Sequence, residues 1–312
     1  MSRISVAMTT YNGAKFLAAQ LQSLLDQTRQ PDEVVICDDR SQDDTVEIAK
    51  RFISENRLDH WRVLENGTNL GYVRNFRRAM AAATGDIVFL SDQDDIWCAD
   101  KLAVMLAVME QNPQIEALVC GYSVIDAEGK KMEPQPPKFY VPSPGSGELS
   151  RMRSGKVLYA NMAQGCAGAY RRSIVDAYCR AEECNVIAHD WALHMLAYER
   201  KGLYFLNREL IQYRIHTNNT TGTVSLGRVD TLQKDLHCLE NGKLLPVSQA
   251  SRKEIDRITD FYRLRIHSLQ SARPWVWLGG WFRFFPLITR SFFFQYMKDF
   301  MIILRREILA KQ

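Results

Sequence analysis

The sequence predicts an α/β fold in which helices flank a mostly parallel sheet, with an amphipathic helical extension at the C-terminus. In the first part of the chain, short apolar runs alternate with segments that show the apolar period of a helix. Strands separated by helical segments pair in parallel through right-handed crossovers. Near the C-terminus, aromatic and basic residues recur at near-helical spacing without a further strand pattern.

Each apolar run in order is predicted to be a strand, and each periodic segment a helix. Pro31 separates the first helix from the second strand, and Gly85 ends the third helix before the fourth strand. The predicted strands are 4–8, 33–37, 61–64, 86–90 and 117–125, and the predicted helices are 14–25, 45–53, 75–83, 100–111 and 191–198.

Composition narrows the class of protein. The chain has 312 residues, 46% of them hydrophobic and 24% charged, which excludes collagen-like, disulfide-framework and wholly disordered proteins. A net charge of +4 is too small to indicate nucleic acid as a partner. The seven cysteines are scattered, without a C-x-x-C pair, and predict reduced thiols in a cytoplasmic protein.

The positive charge is concentrated at the C-terminus. Residues 251–312 hold 12 Lys and Arg against 5 Asp and Glu, a net of +7, which leaves −3 for residues 1–250. Residues 274–300 include eleven aromatic residues, interrupted by charges too often for a membrane-spanning helix. This pattern predicts a helix lying on a membrane surface. The alternative is a helix packed on the protein's own core or on a second subunit.

Polar segments follow three of the predicted strands. These segments are 9–11, 38–39 and 92–95, and in an open parallel sheet they meet in one crevice at the carboxyl ends of the strands. Crowded carboxylates such as those at 92–95 need a cation or many donors to stay ionised. Oxygen ligands suit Mg²⁺ or Mn²⁺ shared with substrate phosphates. The alternative interpretation of each acidic segment is a helix cap.

Two further features bear on the reaction. Asp190 opens a predicted helix and is a candidate general base, although a helix-capping role for Asp190 explains the same position. Residues 133–150 hold five of the ten prolines and are predicted to form a long loop that closes over the site. Dinucleotide enzymes and P-loop NTPases are disfavoured because the sequence has neither of their glycine-rich phosphate loops.

Taken in order, six segments resemble those of the inverting family 2 glycosyltransferases, which have the fold called GT-A. The resemblance extends from residue 3 to about residue 222. It is carried by ISVAMTTYNG, PDEVVICDDRSQDDT, NLGYVRNFRRAMAAATGDIVFLSDQDDIW, NMAQGCAGAYRR, HDWALHMLA and YRIHTNNTTG. The last segment is similar to a motif of O-antigen and capsule enzymes, including rhamnosyl- and glucosyltransferases.

The resemblance implies a role for each matching residue. It implies a metal-dependent transfer of a hexose from UDP-Glc, UDP-Gal or dTDP-Rha to a saccharide hydroxyl, with Mn²⁺ or Mg²⁺ as cofactor. Where the family commonly has a second acid beside its catalytic carboxylate, this chain has His189. The implied donor contacts are Thr9, Tyr11, Asp39, Arg74 and Asp92; the implied metal ligands are Asp94 and Asp92, with His216 as a third metal ligand or a diphosphate contact; and the implied base is Asp190.

The resemblance also implies an organisation and a location. Residues 1–222 are expected to form the GT-A domain, with a nucleotide-binding half at about 1–98 and an acceptor-side half at about 99–222. Residues 223–312 are expected to associate with the inner face of a bacterial cytoplasmic membrane, where the acceptor is a polyprenyl-diphosphate-linked saccharide. Two alternatives remain open: a non-catalytic sugar- or membrane-binding module, and a sugar-phosphate nucleotidyltransferase, whose usual basic glycine-rich loop is missing at residues 9–13.

Overall fold

The computed structural model of the protein describes residues 1–132, 148–216, 227–271, 273–287 and 292–309. Two compact units divide the chain, Met1–Thr221 and Gly222–Gln312. Residues 133–147 of the predicted closing loop lie outside the described residues, so that this role stays a prediction.

The first unit is built on one nine-stranded sheet with the strand order β3-β2-β1-β4-β8-β6-β9-β5, and β7 pairs with β9. The first four strands are parallel, as the alternating pattern predicts, whereas β8 lies antiparallel between β4 and β6. The strands are β1 (Ile4–Thr10), β2 (Glu33–Asp38), β3 (Trp61–Glu65), β4 (Ile87–Ser91), β5 (Ile96–Trp97), β6 (Ala117–Ile125), β7 (Leu149–Arg151), β8 (Gly168–Arg171) and β9 (Leu203–Arg214).

Six α-helices lie among these strands in the residues of the first unit that the structure describes. Every residue of β1, β2 and β4 is buried, which is why these strands appear in the sequence as continuous apolar runs. The helices are α1 (Ala14–Leu25), α2 (Thr45–Glu55), α3 (Tyr72–Ala82), α4 (Lys101–Gln111), α5 (Arg172–Arg180) and α6 (His189–Glu199).

The predicted elements exist, and most differ from the observed ones only at their ends. Helix α3 begins at Tyr72, three residues before the predicted start. Its start is fixed by Gly71, whose φ of +77° favours glycine, and by backbone N–H groups that bind a distant carboxylate. The short strand β5 and the mixed pairing around β8 were not predicted, since antiparallel partners distant in sequence leave no local period.

In the described part of the second unit, four helices surround an aromatic core. Trp277 stacks on Tyr296 at a centroid distance of 4.7 Å, and its indole N–H donates to the Tyr296 carbonyl at 3.1 Å. Gly280 allows close packing here, because a Cβ would lie 2.2 Å from a side-chain carbon of Leu264. The helices are α7 (Arg228–Gly242), α8 (Gln249–Ser271), α9 (Pro274–Leu287) and α10 (Phe293–Leu309).

Helix α9 carries aromatic residues on two sides. Trp277 and Phe284 are buried in the unit. The opposite side, which we call the α9 face, follows positions i, i+3 and i+7, which a helix places together, and includes one further residue beyond the kink at Phe284. Its members are Trp275, Leu278, Phe282 and Phe285, which are 67%, 50%, 75% and 47% exposed. Within the described ranges, no helix combines the length and the hydropathy needed to cross a bilayer.

Candidate active site

The loops that follow β1 and β2 are held together by side chains. The Thr10 hydroxyl donates to Asp38 Oδ2 at 2.8 Å, and the Ser41 hydroxyl donates to the same oxygen at 2.6 Å. Ser41 Oγ accepts the backbone N–H of Asn12 at 2.9 Å. Asp38 is therefore a structural carboxylate that fixes the relative position of two strand ends, as parallel pairing of β1 and β2 allows.

Asp39 is positioned by the start of α3. Its Oδ1 accepts the backbone N–H of Leu70 at 2.7 Å and the side-chain amide of Asn66 at 2.7 Å, while its Oδ2 accepts the N–H of Gly71 at 2.8 Å. These bonds satisfy backbone donors that precede the helix. Asp39 is 3% exposed, and its Oδ2 carries the one bond from Gly71, which leaves capacity for a further donor.

The remaining predicted donor contacts differ in exposure. Thr9 lies inside β1 and is 9% exposed, whereas Tyr11 is 48% exposed and Arg74 is exposed on α3. The backbone of Tyr11 is fixed from the neighbouring strand end: its N–H donates to Gln93 Oε1 at 2.8 Å, and its carbonyl accepts from Gln93 Nε2 at 3.1 Å. Gln93 thereby ties the β1 loop to the acidic loop at 92–95.

The acidic loop meets the end of β9 through strand pairing. Strand β5 pairs antiparallel with β9, with Ile96 opposite Gln212, and continuing this register places Asp94 opposite Arg214. The Arg214 backbone N–H donates to Asp95 Oδ1 at 3.0 Å, and its guanidinium Nε donates to the Asp94 carbonyl at 2.7 Å. Arg214 therefore fixes the conformation of the loop from an element more than a hundred residues away.

His216, two residues beyond Arg214, contacts the predicted metal ligand directly. Its Nε2 lies 2.8 Å from Asp94 Oδ2, and its ring lies 4.7 Å from that of Phe16 between ring centroids. A carboxylate and an imidazole at this distance can bind one divalent ion, and both are ligand types that Mn²⁺ accepts. The chemistry of this donor set fits the predicted cation.

A second group of possible ligands lies on the inner side of the same loop. One ligand atom each of Asp92, Asp95 and Cys166 lies within 4.8 Å of the others. Asp95 is fully buried, and within the described residues its Oδ2 has no hydrogen-bond partner. Burial, together with the neighbouring charge of Asp94, raises the pKa of Asp92 to about 7 and raises the pKa of Asp95 well above its usual range. Crowding of this kind is relieved when a cation binds.

Asp190 lies in the first turn of α6 and is 8% exposed. Its Oδ2 accepts the backbone N–H of Gly165 at 3.0 Å, and its Oδ1 accepts the N–H of Trp191 at 2.7 Å. The first bond comes from a separate turn, so the capping alternative explains only part of the geometry. Its charge contributes to the raised pKa of Asp92, which places the two carboxylates in one electrostatic environment.

The histidines around Asp190 are neutral structural groups. His189 stacks on Phe76 at a centroid distance of 3.8 Å, and His194 lies within hydrogen-bond distance, 3.0 Å, of the Tyr170 hydroxyl. Burial lowers the pKa of each histidine to about 4. Neither imidazole is therefore a proton carrier near neutral pH.

Sequence reasoning missed the roles of Gln93, Cys166 and Arg214 in the crevice, whereas Asp95 belongs to the acidic cluster that it singled out. Two of the missed residues lie inside segments already identified, since Gln93 stands within the acidic segment at 92–95 and Arg214 precedes His216 in the Y-R-x-H segment. The role of Arg214 depends on pairing between distant strands.

Comparison with known proteins identifies the family of this chain. The family model described as "Glycosyl transferase family 2" matches residues 5–179, more than half of the chain. The chain belongs to glycosyl transferase family 2. The matched residues of this glycosyltransferase include both carboxylate loops, at 38–39 and 92–95, and end before Asp190.

Two relatives of this glycosyltransferase come from bacteria. EpsE of Bacillus subtilis (strain 168) is 30% identical over 143 residues, 46% of this chain and 50% of EpsE. WfgD of Escherichia coli, a UDP-Glc:alpha-D-GlcNAc-diphosphoundecaprenol beta-1,3-glucosyltransferase, is 31% identical over 135 residues, 42% of this chain and 51% of WfgD. The chain thus matches about half the length of each of these two proteins.

Solved structures share the fold. Staphylococcus aureus TarS 1–349 in complex with UDP-GlcNAc superposes with a TM-score of 0.61 at 20% identity, over 81% of this chain and 70% of TarS. The mannosyltransferase PcManGT from Pyrobaculum calidifontis, in complex with GDP-Man and Mn²⁺, gives a TM-score of 0.57 at 16% identity, over 97% of this chain and 84% of that protein. The predicted α/β fold of the GT-A type, with its C-terminal helices, is confirmed.

Proposed function

We propose that this glycosyltransferase transfers a hexose, with inversion, from a nucleotide sugar to a hydroxyl of a lipid-linked saccharide. The observation that carries the proposal is the placement of Asp190: the Gly165 N–H holds one of its carboxylate oxygens, and its charge acts on Asp92 of the acidic loop. A base and a donor-binding loop in one electrostatic environment are the two parts that a single displacement needs.

The donor nucleotide is assigned to the ends of β1, β2 and β4. Asp39 Oδ2 accepts a ring N–H of the base, Thr9 and Tyr11 border the nucleoside, and Asp92 binds the ribose. Arg74, exposed on α3, meets the negative charge of the diphosphate. UDP-sugars are the first class to test, because TarS was solved with UDP-GlcNAc and WfgD is named for UDP-Glc; dTDP-rhamnose is the alternative donor.

A divalent cation, Mn²⁺ or Mg²⁺, would be held by Asp94, Asp92 and His216, and when bound it offsets the charge that grows on the departing nucleoside diphosphate. PcManGT, which shares the fold, was solved with Mn²⁺. The Asp94–His216 pair and the crowded carboxylates of the acidic loop support this assignment.

The proposed chemistry needs only one protein carboxylate as base. Asp190 removes the proton of the acceptor hydroxyl while that oxygen attacks the anomeric carbon from the face opposite the leaving diphosphate. One displacement inverts the configuration, whereas a retaining double displacement needs a second carboxylate as nucleophile. His189 supports this role passively, since its stacking on Phe76 and its lowered pKa keep it neutral beside the carboxylate.

The acceptor is assigned to a membrane surface through the second unit. On the α9 face, the side chains of Trp275 and Phe282 are each more than half exposed, and Arg283 is exposed on the same helix. Aromatic rings with neighbouring cations suit the boundary between anionic headgroups and acyl chains. We therefore place the enzyme on the inner face of a bacterial cytoplasmic membrane, acting on a polyprenyl-diphosphate-linked saccharide, the acceptor class in the name of WfgD.

Thermal unfolding with a donor panel tests the first step. Purified protein with Mn²⁺ is heated with UDP-, dTDP- and GDP-sugars, and a donor at a hundred times its dissociation constant adds about 2.7 kcal/mol to the free energy of unfolding. One nucleotide class is expected to stabilise the protein, and only when metal is present. Folded protein that no donor stabilises would overturn the transferase proposal.

Turnover separates the proposal from the two alternatives. With the stabilising donor and an undecaprenyl-diphosphate-linked saccharide, product mass and anomeric NMR signals identify the transferred sugar and its configuration. Asp94→Ala is expected to abolish turnover. A binding module would retain its ligand in this variant, and a nucleotidyltransferase would instead form a nucleotide sugar from a sugar phosphate and a nucleoside triphosphate.

A further inference from the structure

A lysine is completely buried beside the acidic loop. Lys101, the first residue of α4, has no exposed surface. Its Nζ donates to the carbonyl oxygen of Cys166 at 2.6 Å and lies 3.5 Å from the centroid of the Trp97 ring. A buried ammonium is costly unless polar or π partners surround it. The carbonyl of Cys166 and the ring of Trp97 supply such partners.

The carbonyl that Lys101 holds belongs to the turn that positions Asp190. Cys166 is the middle residue of the 3₁₀ turn Gly165–Ala167, and the preceding residue, Gly165, donates its N–H to Asp190 Oδ2 at 3.0 Å. The turn has little freedom on this side, because a Cβ on Gly165 would lie 2.8 Å from His189 Nε2 and 3.1 Å from Asp190 Cβ. A movement of the turn would therefore displace the Asp190 carboxylate, because the Gly165 N–H is bonded to it.

The start of α4 is itself firmly anchored. Its Leu102 N–H is accepted by Gln27 Oε1 at 3.0 Å, and Gln27 Nε2 donates to the Cys98 carbonyl at 2.8 Å. Gln27 is 3% exposed. Lys101 thus extends from the anchored start of α4 to the Gly165–Ala167 turn. Among the described strands, none pairs with this turn.

We propose that Lys101 is a positioning residue for the transfer reaction. Its ammonium fixes the Gly165–Ala167 turn, and this turn orients the Asp190 carboxylate. The inference rests on the proposed function, in which Asp190 is the base. Burial lowers the pKa of Lys101, and Asp92 and Asp95 lie close enough to interact with it electrostatically. The positioning role depends on the bond to the Cys166 carbonyl.

Lys101→Met tests the role, because methionine is unbranched and of similar length but has neither charge nor donor. We expect kcat to fall by about tenfold to a hundredfold while the KM for the nucleotide sugar changes by less than about threefold. Lys101→Arg, which keeps a cationic donor, is expected to retain more activity than Lys101→Met. The matched control is Arg62→Met, which removes a cation that donates to the Ala82 carbonyl away from Asp190 and should leave kcat unchanged.

A double-mutant cycle separates positioning from general stabilisation. If Lys101 acts through Asp190, Lys101→Met costs less than about twofold in an Asp190→Asn background, where the base is already lost. An equal loss of kcat in both backgrounds would overturn the proposal, and so would wild-type kcat in Lys101→Met. Should Lys101→Met not fold, Lys101→Gln replaces it, since its amide is one bond shorter than the ammonium and cannot keep the same contact.

Hydrogen exchange gives a readout that does not depend on turnover. The Gly165 amide is expected to exchange at least about tenfold faster in Lys101→Met than in wild type, with no such change in Arg62→Met. Unchanged exchange at Gly165 overturns the positioning role whatever the activity. Suppose that the wild-type protein transfers sugar from none of the donors to any acceptor, but that Lys101→Met still speeds exchange of the Gly165 amide. This result would count against the proposed function and not against the link from Lys101 to the turn.

Discussion

In the crevice of the first unit, Asp92 and Asp95 crowd together and Asp95 Oδ2 lacks a partner, whereas in the second unit the buried Asp299 lies between two arginines. The guanidinium Nε of Arg228 and that of Arg265 each donate to one oxygen of Asp299 at 2.7 Å. Buried charges that are paired hold an interior together. Buried carboxylates left crowded are those that an incoming cation or substrate can stabilise.

The two units also differ in what they leave exposed. The crevice keeps its apolar strands buried and presents polar loops. The second unit buries the carboxylate of Asp299 between two arginines and exposes the α9 face, where Trp275 and Phe282 are 67% and 75% accessible. Crowded carboxylates in one unit and an exposed apolar face in the other are the two features on which we base the proposal of two different partners, a small charged donor and a lipid surface. The predictions below test that division.

Among the changes described below, Asp190→Asn is expected to have the largest effect. Loss of the base should lower kcat by about 10²- to 10⁴-fold, while the thermal stabilisation by the donor stays as in wild type, because the donor is assigned to other strand ends. Steady-state kinetics and thermal unfolding on the same samples measure both. Loss of donor stabilisation together with kcat would show that Asp190 belongs to the donor pocket and not to the acceptor side.

Substitution of the α9 face should act on lipid alone. Trp275→Ala and Phe282→Ala are each expected to weaken binding to anionic vesicles by about tenfold, since burial of such a ring contributes roughly 1.5–3 kcal/mol. Turnover on a water-soluble acceptor analogue should not change. Vesicle flotation measures the first effect. Leu244→Ala removes an exposed apolar side chain that lies between α7 and α8, and equal weakening by this control would contradict a role specific to α9.

Acid is expected to destabilise the first unit through its buried histidines. The pKa of His189 and of His194 is lowered by burial to about 4 from 6.5. Between these values the unfolded chain binds more protons than the folded one, so the free energy of unfolding falls as the pH falls. Each histidine contributes about 1.4 kcal/mol per pH unit in this window, and its full contribution is present above about pH 6.5.

Urea unfolding at pH 5 and pH 7 measures this dependence. His194→Gln should flatten the slope by the share of one histidine, whereas His60→Gln, at an exposed position, should leave the slope as in wild type. If the free energy of unfolding of His194→Gln changes with pH as steeply as that of wild type, other groups dominate the acid sensitivity of the fold.

The smallest effect is expected at the contact between the loops that follow β1 and β4. Gln93→Ala removes both hydrogen bonds to the Tyr11 backbone, each worth about 1 kcal/mol. Donor affinity, measured by calorimetry, should fall by about threefold to tenfold, because Tyr11 borders the proposed nucleoside site. The matched control is Gln42→Ala, whose side chain donates within its own loop at 3.0 Å. An effect of Gln93→Ala on vesicle binding would contradict the proposal that the first unit binds the donor and the second unit binds lipid.

The amino-acid sequence by itself determined the parallel half of the sheet and the placement of its polar ends. Continuous apolar runs such as 33–37 and 86–90, each followed directly by aspartates, are local signals, because burial on both faces removes the alternation of a half-exposed strand. Parallel pairing then places the carboxyl ends at one edge. Asp39, Asp92 and Asp94 follow from these two facts without knowledge of any distant contact.

The tertiary structure alone decided how the crevice is completed. His216 contacts Asp94 across 122 positions of sequence, and the Gly165 N–H reaches Asp190 across 25. The first contact depends on the antiparallel register of β5 and β9, and the second on a turn held by the buried Lys101. Such contacts leave no period in the sequence, because the groups that satisfy a buried charge are chosen by packing between distant elements and not by their neighbours along the chain.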